Sequence, residues 1–130
     1  MINIKWSLVC HHIKIVPEHG ANLIGVIENY TSPTLPLNID QMTIVLGTIV
    51  SGETEADLEI KLLLGGQTLY RTDPGSNQIT VQGDKQLTRR KNIPIHFGAI
   101  ILPQFGEYTL EVSVDGLKVH TDSFRLLQKF

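Results

Sequence analysis

Cys10, His11 and His12 are the densest group of side chains able to do chemistry in this chain. On a strand, Cys10 and His12 share a face while His11 points away. Joined by His19, His96 or His120, that pair would make a zinc site of thiolate and imidazole ligands. The spacing fits no finger or ribbon. A thiol-dependent enzyme around Cys10 and His12 would instead need an accessible, electropositive thiolate, and Cys10 ends an apolar run. The plainer account makes Cys10 a small core residue with the histidines at strand ends. No Gly-x-Ser-x-Gly elbow and no His-Glu-x-x-His motif occurs. The expectation is therefore no catalytic residue, no bound metal and no cofactor.

The one cluster of charge is Lys85, Arg89, Arg90 and Lys91, set in a polar stretch over 82–92. Such a run can hold phosphate. No aromatic residue is interleaved with it, which argues against base stacking, and no nucleic acid partner is expected. The plainer account is a solvated loop that keeps the apolar strand after it from aggregating. Tyr30 and Leu35 stand in a second candidate, the proline-punctuated stretch 29–40, read as a surface loop or edge segment. Tyr30 and Tyr70, with the loops around them, would serve a small ligand or carbohydrate. Asp57 and Glu59 alternate with Lys61 as the wet side of a strand, and Asp40, Asp73 and Asp115 read as turn residues.

The elements that position these groups are strands. Tyr108, Leu110, Val112 and Val114 alternate with polar residues, and Asp115-Gly116 then supplies a type I′ turn into a return strand. Ile2, Ile4, Trp6, Leu8 and Cys10 share one parity, whereas Ile13 and Ile15 have the other; the change predicts a bulge near His11-His12. Leu117 and Val119 against Phe124 and Leu126 predict another near Asp122-Ser123. Residues 17–22 form a turn cluster, 23–27 an apolar strand, 42–50 a β-branched strand and 58–64 a half-buried strand. Gly65-Gly66 turns that strand into a short partner at 69–71. Ile93, Ile95 and Phe97 alternate around Pro94, which predicts an edge strand or a place where no ladder donor is needed. About eight strands with no capped amphipathic helix read as one all-β sandwich, immunoglobulin-like or C2-like, spanning 1–130; a closed barrel is the alternative.

Composition agrees. Charged residues are 18% of the chain against a usual ~25%, and apolar residues 42%. A net charge of −2 supplies no field toward nucleic acid or membrane. One cysteine excludes an internal disulfide, and alternation at the N-terminus is unlike the continuous core of a signal peptide, so a cytoplasmic location is expected.

The order of several motifs resembles an uncharacterised bacterial family of unknown function, made of small β-sandwich proteins of immunoglobulin-like or C2-like type. The pieces are Leu8-Val9-Cys10, Leu23-Ile24-Gly25-Val26, Pro33-Thr34-Leu35-Pro36, the strand over 58–64, Phe105-Gly106-Glu107-Tyr108, Val114-Asp115-Gly116 and Ser123-Phe124. The family often has Asp directly after the cysteine; here that residue is His11. The resemblance implies a fold and assigns no activity. With catalytic motifs missing, the expected function is a non-enzymatic binding or protein-interaction module, with a protein partner or self-association through an edge strand or sheet face.

Overall fold

The computed structural model describes residues 1–16, 20–52, 54–81 and 88–130, with backbone alone at 12, 15, 16, 20–22, 24 and 81. Ten strands run through them: β1 (Ile2–Val16), β2 (Gly20–Ile27), β3 (Asn29–Ser32), β4 (Leu37–Ser51), β5 (Thr54–Leu64), β6 (Gln67–Arg71), β7 (Gln78–Val81), β8 (Thr88–Leu102), β9 (Gly106–Val114) and β10 (Leu117–Gln128). No helix occurs among the described residues, hence none long and apolar enough to cross a membrane. One sheet has the order β2-β1-β4-β8; the other has β3-β10-β9-β5-β6, with β7 also paired to β5. The two form an all-β sandwich, with ten strands where the sequence suggested about eight. β3, at one edge of its sheet, lies inside the 29–40 stretch read as a loop or edge segment, and β4 starts at Leu37 rather than Met42.

Alternation explains the layers. Ile44 and Leu46 of β4, Leu58, Ile60 and Leu62 of β5, Tyr108, Leu110 and Val112 of β9, and Phe124 and Leu126 of β10 fill one core between the sheets. Tyr108 and Phe124 face each other across β9 and β10 with stacked rings, and Tyr30 meets Phe124 edge-on at 5.4 Å. Val45 has the opposite parity to Ile44 and Leu46, so it lies on the outer face of the four-stranded sheet. There it joins Cys10 and Ile13 in a small second cluster.

The tight turns are as the sequence requires. Asp115 and Gly116 have φ of 50° and 84°, and Gly65 and Gly66 have 59° and 81°, which is the type I′ pattern in both hairpins.

The bulges lie elsewhere than predicted. β1 pairs with β2 from Val9 to Val16 with no shift at His11-His12; its bulge is at Lys5, between Ile4 and Trp6. Ile2 and Ile4 therefore face the core, as does Val9 beyond the bulge, while Trp6 and Leu8 turn outward. On β10 the bulge is at Val119, not Asp122-Ser123. A bulge is set by the partner strand's register, which parity within one strand does not report. Pro94 does mark an edge: β8 is the outermost strand beside β4. Of the turn cluster 17–22, residues 17–19 lie outside the described residues and β2 starts at Gly20.

Candidate functional site

The outer face of the four-stranded sheet carries a cleft of about 340 Å³ lined by Lys5, Trp6, Gly47, Ile49, Arg90 and Asn92, among others. Its centre is Trp6, placed by the Lys5 bulge directly opposite Gly47. The indole lies on the glycine backbone: a Cβ at Gly47 would stand 2.0 Å from Trp6 Cε2. Only glycine leaves that seat open. Trp6 remains 38% exposed, so part of the ring is open to the solvent side. From β8, Arg90 pairs with Ile49 and Asn92 with Gly47, so both reach over this face.

The basic run is thus differently placed than its sequence suggested. Arg89, Arg90 and Lys91 are not in a loop but on β8, fully in register with β4. Their partners separate them. Arg89 lies opposite core-facing Val50 and Lys91 opposite Thr48, so both point away from Arg90. Lys85 lies outside the described residues. The aromatic neighbour that the local sequence lacks comes from β1, as Trp6. Sequence reasoning missed this site because its signal is a pairing between distant strands; the one local hint was a tryptophan in a row otherwise spaced like core.

The other candidates are scattered. Leu35 is exposed in the loop before β4, while Arg89–Lys91 pair at the far end of that strand, on the order of 40 Å along it. Tyr30 is packed against the core, and its hydroxyl is buried without a hydrogen-bond partner. Burial, and secondarily the nearby Cys10, push that phenol up from 10.0 to about 12. Tyr70 is committed to structure: its hydroxyl accepts the Ile101 N–H at 2.9 Å and donates to the Ile101 carbonyl at 3.5 Å. Cys10 is buried beside Val45, and the His12 side chain lies outside what is described. His96 is bonded to Thr43 Oγ1 at 3.0 Å. Among the described residues no three His, Cys, Asp or Glu side chains are placed to hold a metal ion.

One polar cluster unites residues that the sequence kept apart. Ser7 Oγ donates to Asp122 Oδ2 at 2.8 Å and lies 3.0 Å from His120 Nε2. The hydroxyl has a single proton, already given to the carboxylate, so His120 must donate its Nε2–H to Ser7. In a nucleophile relay the imidazole stands between hydroxyl and carboxylate. Here the serine stands in the middle, and the trio clasps β1 to β10 across the two sheets.

No curated protein matches this chain. Residues 5–126, which hold Trp6, Gly47 and Arg90 together with both sheets, match a family of unknown function, and on that match the chain belongs to DUF6941.

Proposed function

We propose that this chain is a non-enzymatic protein-interaction module that takes an acidic, extended segment of another protein onto the open end of β8. The observation that carries this is the unequal treatment of that edge. An edge strand offers unpaired N–H and C=O groups to any passing strand, and proteins normally cover or blunt it. At the Ile101 end Tyr70 covers it, occupying both backbone groups. Pro94 removes one donor further along. Residues 88–92 are exposed, with Arg89, Arg90 and Lys91 in succession. Strand addition draws affinity from main-chain hydrogen bonds and specificity from flanking side chains. Three cations repel a second copy of the same edge and attract carboxylates.

The non-enzymatic part rests on the order of groups in the Ser7 cluster and on the burial of Cys10. A cytoplasmic setting suits a chain with a single cysteine. Kinship with immunoglobulin-like or C2-like sandwiches is supported by Tyr108, whose hydroxyl turns back to donate to the Gln104 carbonyl at 2.6 Å, a corner familiar from that class. A bacterial source rests on the motif resemblance alone.

The test is affinity capture from host lysate, with and without nuclease. Tagged protein is compared with an Arg89→Ala/Arg90→Ala/Lys91→Ala variant. We expect a protein partner that survives nuclease and is retained roughly tenfold less by the variant. Equal capture by both, or material released by nuclease, overturns the reading.

A further inference from the structure

We infer that the cleft beside Trp6 is a small-molecule site for a flat ring bearing an anion, of the nucleoside monophosphate class. This goes beyond the β8-edge reading: the two share Arg90, but this one uses side chains above the sheet face and not the backbone at its edge, and its test with small ligands on the whole chain can fail while the other stands.

Four observations converge. First, the indole is held against the Gly47 backbone, where any side chain would displace it, and is 38% exposed. A ring fixed in this way stacks on a second ring with little further loss of freedom. Second, the charge is of one sign. Lys5 and Arg90 line the cleft, and among the described residues no carboxylate does. Among the described residues the two ion pairs are Lys118 with Glu111 and Arg125 with Glu107, both on the other sheet. Among the described residues no anion pairs with Lys5 or Arg90, and phosphate matches a guanidinium fork beside an ammonium. Third, Asn92 stands two residues from Arg90 on the same face, with donors and an acceptor for the edge of a base. Fourth, the volume of about 340 Å³ is at the small end of the range for ligand sites, ~300–1,000 Å³. It suits one ring with its anion. A longer strand of nucleic acid would want further stacking platforms, and among the described residues Trp6 is the one aromatic residue lining the cleft.

Trp6 is the chain's single tryptophan, so its fluorescence reports on this site alone. Adenosine 5′-monophosphate and uridine 5′-monophosphate are titrated against the whole chain by fluorescence and calorimetry. The comparison set is adenosine, ribose 5-phosphate, glucuronate and a short oligoadenylate. We expect saturable quenching by at least one monophosphate, with adenosine and ribose 5-phosphate each at least roughly tenfold weaker. Arg90→Ala should weaken the monophosphate about tenfold with an unchanged circular dichroism spectrum, whereas Lys129→Ala should bind as wild type. Trp6→Phe, read by calorimetry, should bind more weakly. The proposal fails if neither monophosphate saturates, if Arg90→Ala binds as tightly as wild type, or if only glucuronate or the oligonucleotide binds.

Discussion

At the scale of single residues, Tyr30 makes the sharpest prediction. A tyrosine in the unfolded chain loses its proton near pH 10, whereas Tyr30 in the fold holds it to about 12. Between those values the native state keeps a proton that the unfolded state has released. The contribution is therefore fully present below pH 10 and is lost as pH rises toward 12. Tyr30→Phe should flatten that alkaline decline. It also deletes a buried hydroxyl with no partner while keeping the ring against Phe124, which should stabilise the protein by about 1 kcal/mol at pH 7. Urea melts of both proteins from pH 7 to 11 check both effects; a variant as alkali-sensitive as wild type rules the account out. Residue by residue, the sequence is legible only where the cause is local. It shows Tyr30 in a polar, proline-punctuated stretch but not the Phe124 ring against which it packs. It shows an unusual Trp6 but not Gly47, which comes forty-one positions later and gives the indole its seat.

At the scale of elements, β8 is covered at one end and open at the other. The cover is a single hydroxyl. Tyr70→Phe would leave the Ile101 N–H and C=O without that partner, beside an Ile101 side chain that is already 49% exposed. We expect a loss of roughly 1 kcal/mol and a rise in self-association, read by urea unfolding and light scattering. A variant with the stability and the light scattering of wild type would show that Tyr70 is not a cap. Hairpins were legible in the sequence because their turns are chemical: Asp115-Gly116 and Gly65-Gly66 name their own φ values. The bulges at Lys5 and Val119 were not. Each is decided by which residue the neighbouring strand offers, and the same cause moved the basic run from an imagined loop onto a paired strand.

At the scale of the whole molecule, the all-β class and the edge position of β8 follow from alternation and Pro94. The pairing of sheets does not, because nothing local says that β1 will meet β10. Ser7 records that meeting. Ser7→Ala would strip Asp122 and His120 of their shared partner and should cost roughly 2 kcal/mol, visible as a lower thermal midpoint without a change of sheet content; an unmoved midpoint would mean the clasp is ornamental. The feature with the widest reach is β3. It lies parallel to β10, with Asn29 beside Arg125 and Ser32 beside Gln128, and donates Tyr30 to the core. A ribosome adding roughly 5–20 residues per second takes on the order of 5 to 20 seconds to travel from β3 to its partner. Through that interval the nascent chain carries finished hairpins and an unclosed core. β10 is the strand that shuts it, so the nascent chain is most open to misassociation just before synthesis reaches β10, when a chaperone has most to hold.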